Sequence, residues 1–348
     1  MYSSNTVLMS IFTGWYIEKK NLKSGEIRQF LVKDIQEYKK RKRIRLLLDL
    51  DHEFKQPDAD TIDNNLMIDF IERIITAKTH IVKDHFKPLF ITPEIISNIE
   101  YSKELINACL EQSPINEVKL YQKNIDSQYI QGTTFIEGNT LNLQQVKDVL
   151  ESGHFPSGKT LREVNEIQNY IDVLTYRRKY RGKITLSFIK KLHKLIVKNT
   201  REDEPGVFRK GDYIAISGCD YQVCPSILIE ESLEKIIDEY YNNINSGFYP
   251  FESALYFHYL FEMIHPFNDG NGRVGRELLN YLLEREGYQQ FLVNGEGRDK
   301  YLKSLKWGNE EDYKAMIVSF VEMYISFYSK IFESEIKNKK IDVKIKTD

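Results

Sequence analysis

The sequence predicts a mainly α fold, a helical bundle with an inserted β-hairpin, plus a small N-terminal β-hairpin module. Three observations carry this reading. Apolar residues recur at three- to four-residue spacing through most of the chain beyond residue 60, the period of helices with one buried face. Neither strand–helix alternation nor a Rossmann fingerprint occurs. Two β-rich stretches each surround a turn.

In chain order, Trp15, Tyr16 and Ile17 lead through a Ser24–Gly25 turn to Ile27, Phe30, Leu31 and Val32, two strands of a β-rich module over residues 1–55. The turn and cap residues of Gln56-Pro57-Asp58-Ala59-Asp60 read as a linker. A helical region over 56–115 follows, with stripes Ile68, Phe70, Ile71, Ile74, Ile75 and Ile95, Ile96, Ile99, Leu105, Ile106, Leu110. The main domain, 116–336, carries stripes through Leu141 to Leu150, Val164 to Leu174, Leu186 to Val197, Leu228 to Tyr241, Phe251 to Ile264 and Tyr313 to Phe332, and 337–348 is a charged tail. Between two of these helices, Gly211 to Val223 has β-rich flanks around a Gly218 to Asp220 turn and reads as a hairpin. Alone it would be marginal. It therefore either covers the core or projects as a flap over a site.

Composition narrows the function. A chain of 348 residues, 41% hydrophobic and 29% charged, is that of an ordinary soluble globular protein. Its net charge of −2 supplies no field for a polynucleotide or an anionic membrane, and the basic runs Lys39 to Arg45 and Lys337 to Lys346 read as solvated faces or tails. No stretch is long and apolar enough to span a bilayer. The odd cysteine set Cys109, Cys219 and Cys224, with no secretory leader, points to free thiols in the cytoplasm.

Chemistry concentrates in His265-Pro266-Phe267-Asn268-Asp269-Gly270-Asn271-Gly272-Arg273-Val274-Gly275-Arg276, a polar Gly-rich loop joining two apolar helices. Unpaired N–H groups and the dipole at the start of the second helix make an anion site, and Gly270 and Gly272 let a phosphate approach the backbone. Arg273 and Arg276, three residues apart, lie on one face and imply a polyphosphate. Asp269 is the hard oxygen ligand that Mg²⁺ prefers when it also takes phosphate oxygens. His265 is the one group in the loop suited to accepting a hydroxyl proton near neutrality.

These residues resemble the Fic family motif, His-x-Phe-x-Asp/Glu-Gly-Asn-Gly-Arg-x-x-Arg. At ~5% usage per residue type, eight matched positions arise by chance on the order of once in 10^10 windows, so the match is specific. The resemblance implies a helical enzyme that transfers AMP from Mg·ATP to a Tyr, Thr or Ser hydroxyl of a protein. His265 would then be the base and Asp269 the metal ligand, with Gly270, Asn271, Gly272, Arg273, Val274, Gly275 and Arg276 around the phosphates. Arg298, Tyr301, Leu305, Asn309 and Asp312 resemble the family's segment near the adenine, with Leu302 replacing its second Tyr; Tyr301, Leu302 and Asn309 are the expected nucleotide contacts. Gly206-Val207-Phe208-Arg209 and the hairpin resemble the Fic flap, on which Ile214, Ile216, Ser217 and Gly218 would dock a protein substrate as an added strand. Tyr213 or Tyr221 are self-modification candidates, and a homodimer is left open.

Thr133-Thr134-Phe135-Ile136-Glu137-Gly138 matches the family's inhibitory motif, Ser/Thr-x-x-x-Glu-Gly/Asn. By that resemblance Glu137, with Thr133, would pair bidentately with Arg276 and deny it to the γ-phosphate. The alternatives are AMP removal, transfer of UMP, phosphocholine or phosphate by the same loop, and a non-enzymatic nucleotide-sensing adaptor.

Overall fold

The computed structural model describes residues 15–21, 27–37, 40–48, 86–200, 204–212 and 223–338. The chain divides into two compact units, one of Met1–His85, Ser97–Val118 and Ser329–Asp348, the other of Phe86–Ile96 and Lys119–Tyr328.

In the first unit, β1 (Trp15–Asn21), β2 (Ile27–Glu37) and β3 (Lys40–Leu48) form an antiparallel sheet in the order β1-β2-β3, with Trp15 opposite Lys33 and Gln29 opposite Leu48. The expected two-stranded hairpin is thus a three-stranded meander. Its third strand was hidden in the basic run, where Arg43 and Arg45 alternate with Ile44 and Leu46 at the strand period. A third strand gives a hairpin the support it lacks by itself. The linker at 56–60 and the stripe at 68–75 lie outside the described residues.

Among the described residues ten α-helices follow: α1 (Pro93–Gln112), α2 (Ile115–Ile136), α3 (Leu143–Ser152), α4 (Leu161–Lys179), α5 (Leu186–Ile196), α6 (Ile229–Asn245), α7 (Pro250–Ile264), α8 (Asn271–Arg285), α9 (Arg298–Asn309) and α10 (Tyr313–Asn338). Local chemistry sets several boundaries. Asn142 with Gln145 and Thr160 with Glu163 form capping boxes at α3 and α4, Thr185 caps α5, and Pro250 opens α7. None of the helices among the described residues is long and apolar enough to cross a membrane.

At the centre of the second unit, α8 packs against α7, α5 and α4. Its residues from Asn271 to Leu283 are buried except Gly272, so its polar groups need partners inside the protein. Asn280 bonds the Phe291 backbone on both sides, and Glu277 takes the Tyr129 hydroxyl at 2.6 Å and Arg177 at 2.8 Å. These contacts tie α2 and α4 to the helix that follows the Gly-rich loop.

One part of the expected fold class is corrected. Among the described residues from 86 onward no strand occurs, only an isolated bridge between Lys87 and Phe248, so the inserted β-hairpin flap is not part of the described fold. Ile214, Ile216, Ser217 and Gly218, with Tyr213 and Tyr221, lie outside the described residues, and their flanks are irregular chain. The flanks are joined by side chains instead of a ladder: Arg209 donates to the carbonyls of Gly211 and Cys224, and Ser226 N–H donates to Asp212.

Candidate active site

The loop between α7 and α8 begins with a residue in an unusual conformation. His265 ends α7 at φ 51, ψ 61, a left-handed geometry that costs a non-glycine residue ~1–2 kcal/mol and recurs at functional sites. Pro266 disfavours continuing the helix. Nδ1 of His265 lies 3.3 Å from the Glu262 carbonyl oxygen. Since a carbonyl only accepts, Nδ1 carries the proton and Nε2 the lone pair. Burial pulls the imidazole below its usual 6.5, against the opposing pull of the Glu262 carbonyl, Glu137 and Asp269. A neutral base at physiological pH results.

Other contacts fix the loop backbone. Arg209 donates to the carbonyl oxygens of His265 at 2.8 Å and Ile264 at 3.3 Å, and its own amide donates to that of Pro266 at 2.9 Å. Asn271 spends its side chain on Phe267, accepting from its N–H and donating to its C=O, each at 2.8 Å. Asn271, expected at the phosphates, thus braces its own loop. From below, His193 stacks on Phe267 and reaches the Asp269 carbonyl. Gly270 caps α8 at φ 79 without a side-chain cap, so the first N–H groups of α8 have no capping acceptor from that residue.

Two arginines of α8 frame the anion site. Arg273 contacts Asp269 at 2.9 Å and Glu166 at 3.5 Å, while its buried Nε has no acceptor. Arg276 donates from Nε to the Thr133 hydroxyl at 2.7 Å, and from Nη2 to the Thr133 carbonyl at 3.1 Å and Glu137 Oε1 at 2.7 Å. A Cβ on Gly272 would lie 2.5 Å from Glu137 Oε1. The notch that glycine leaves at the start of α8 is therefore filled by a carboxylate, an anion already seated where the helix favours one.

Tyr129, Thr133 and Glu137 follow one another at four-residue spacing, and all three bond α8, at Glu277 and Arg276. Behind Arg276 lie Tyr301, His258 and Glu262. The Tyr301 hydroxyl is 2.9 Å from His258 Nε2, and the Arg276 guanidinium lies 5.8 Å over the Tyr301 ring. Burial, with the Arg276 charge, pushes His258 down to about 3; burial pushes Glu262 up to about 8, against the pull of Arg276.

The structure thus gathers His265, Asp269, Gly270, Gly272, Arg273, Arg276, Thr133 and Glu137 around one helix start. The other expected contacts sit differently. Val274 is in the core, and a Cβ on Gly275 would meet Glu262 Oε1 at 2.2 Å, so this glycine permits close approach of α7. Tyr301 is 1% exposed and supports Arg276, Leu302 faces solvent, and the buried Asn309 Oδ1 has no partner. Among the described residues no group of three His, Cys, Asp or Glu side chains could enclose a metal, so an ion on Asp269 would take its remaining ligands from phosphate and water, as Mg²⁺ commonly does. His193 and Glu166 were missed from sequence. His193 lies within the apolar stripe of α5, and an ionisable residue at that spacing was the available signal.

Residues 183–283 match the model of the Fic/DOC family. The protein adenylyltransferase fic-1 of Caenorhabditis briggsae is 31% identical over 194 residues, 54% of this chain and 38% of that protein. The protein adenylyltransferase Fic of Drosophila persimilis is 29% identical over 232 residues, 64% and 43% of the two chains. The chain thus spans about two fifths of the length of the curated relatives it matches. A Fic domain-containing signaling protein from Bacteroides thetaiotaomicron superposes with a TM-score of 0.61 at 24% identity, over 69% of this chain and 97% of that one. Fic-1 of Caenorhabditis elegans, residues 134–508, gives 0.55 at 22%, over 77% and 89%. At these identities the solved structures speak for the fold alone.

Proposed function

For a chain that carries a Fic/DOC family domain over residues 183–283, we propose an autoinhibited protein adenylyltransferase that moves AMP from ATP to a Tyr, Thr or Ser hydroxyl of a protein. The observation that carries the reading is the carboxylate seated at the start of α8. Glu137 fills the Gly272 notch and binds Arg276 at 2.7 Å, which supports an anion site built by the fold and held closed by the chain itself. The curated relatives' names as adenylyltransferases support the same class.

In the proposed reaction His265 Nε2 takes the proton from the acceptor hydroxyl. The hydroxyl oxygen then bonds the α-phosphorus as the bond to the β-phosphate oxygen breaks and pyrophosphate leaves. Arg273 and Arg276 hold the phosphates beyond the reacting one, and the α8 N-terminus stabilises charge at the transferring group. Mg²⁺, bound through Asp269, would supply charge neutralisation between the phosphates. Asn271 and Arg209 keep the loop in register so that base, metal ligand and arginines share one geometry.

Glu137 denies Arg276 to the nucleotide's terminal phosphate, with Thr133 holding the guanidinium from the other side. The test is incubation of the Glu137→Gly chain with α-labelled ATP in a lysate of its own cells, followed by mass analysis of labelled proteins, including this chain itself. AMP on a hydroxyl side chain is expected. A UMP, phosphocholine or phosphate mass, or no label, overturns the reading.

A further inference from the structure

Helix α5 places one polar side chain beneath the loop, His193, 4% exposed. Its ring lies flat on Phe267, with centroids 3.7 Å apart and planes 6° apart. The Gly206 amide is 2.8 Å from Nδ1, and Nε2 is 3.1 Å from the Asp269 carbonyl oxygen. An amide N–H only donates and a carbonyl only accepts. Together they require a neutral ring with its proton on Nε2. The imidazole accepts from one segment and donates to the other.

Both segments sit too close to offer easy substitutes for this connection. Gly206 has φ 86, and a Cβ there would lie 2.9 Å from the Lys190 carbonyl oxygen. At Gly270, φ 79, a Cβ would meet Val197 at 3.2 Å and the His193 ring at 3.4 Å. Each segment leads to a working part of the site. Three residues beyond Gly206 is Arg209, which holds the His265 and Pro266 carbonyls, and the other contact is with the peptide of Asp269 itself.

We propose that His193 is a positioning residue for nucleotide binding, fixing the Asp269–Gly270 peptide so that the Asp269 carboxylate and the first amides of α8 face the Mg²⁺-nucleotide. This rests on the transfer reading above for its ligand, but not for its geometry. If His193 only filled the core, any ring stacked on Phe267 would serve. A positioning role needs the donor at Nε2.

Three substitutions in the Glu137→Gly chain separate these roles. His193→Gln keeps a donor near the Nε2 position, His193→Asn keeps an acceptor near Nδ1, and His193→Phe keeps only the stack. In the nucleotide-free protein, hydrogen exchange of the amides from Phe267 to Asn271 is expected to be about 10-fold faster in the Asn and Phe variants than in the Gln variant, the effect of one lost hydrogen bond. The Kd for Mg·ATP should weaken about 10-fold in the same two variants, with KM rising more than kcat falls. Loop protection and ATP affinity in His193→Phe equal to the parent overturn the proposal. Should His193→Phe not fold, equal exchange in the Gln and Asn variants overturns it instead. If exchange follows the prediction while the Glu137→Gly parent transfers no AMP, the positioning role stands and the transfer reading falls.

Discussion

Replacing Glu137 with glycine removes the contact proposed to close the anion site. The lost interaction is one charge-assisted hydrogen bond at 2.7 Å between a side chain 3% exposed, that of Arg276, and one 26% exposed. Such bonds contribute ~1.5–3 kcal/mol. If that energy opposes productive nucleotide binding, its removal raises kcat/KM for ATP about 10- to 150-fold. The fold should tolerate the change. Glu137 follows the last residue of α2 and precedes Gly138 at φ 94, where glycine suits the chain. Thr133 keeps two acceptors on Arg276, so the stability loss stays near ~1 kcal/mol. Glu137→Gln, which keeps a hydrogen bond without the charge, should fall between the two in activity. The assay is transfer from α-labelled ATP by the full chain, with ATP affinity measured in parallel by calorimetry. A folded Glu137→Gly chain that binds ATP and transfers AMP no better than the unmutated one refutes the brake.

Other expectations follow from the same geometry. His265→Asn, chosen because asparagine tolerates positive φ, should lower transfer about 10²- to 10⁴-fold with ATP affinity unchanged; retained transfer would assign the base elsewhere. Because the base works unprotonated and burial lowers its pKa, the acid limb of the kcat/KM profile should have its midpoint below 6.5, and a midpoint above that value counts against His265. Glu262, raised from 4.5 to about 8 in the folded chain, stabilises the protein below 4.5 relative to alkaline pH, and this contribution is lost as pH climbs to 8. Glu262→Gln should therefore flatten the fall of Tm between pH 5 and 8, which thermal melts across that range would read; an unchanged slope removes Glu262 from the account. Arg209→Ala frees the His265, Ile264 and Gly211 carbonyls together. It should lower Tm and reduce kcat more than 10-fold, whereas full activity in steady-state kinetics would show that the loop holds its register without the clamp.

The motif from His265 to Arg276 was legible because each of its functions needs a particular residue type within one loop and one helix turn. An imidazole, an acidic residue, glycines and two guanidiniums in that order leave few other uses. Helix stripes were legible for a related reason, since burial of one face imposes the period on the sequence. The strand Lys40–Leu48 was not, because its charges obscured the alternation. The β-rich segment around Gly218 predicted a hairpin that is not part of the described fold, since composition records a preference for strand and not its pairing.

By itself the chain's order of residues determined the helical class and the chemistry of the loop, both local properties of spacing and side-chain type. Tertiary structure alone decided that Tyr301 lies beneath Arg276, that the Glu137 carboxylate enters the Gly272 notch and that His193 joins Gly206 to Asp269. Those roles depend on groups separated by up to 139 positions meeting within a few ångströms. Long-range contact of this kind is set by how helices pack, and no local pattern encodes it.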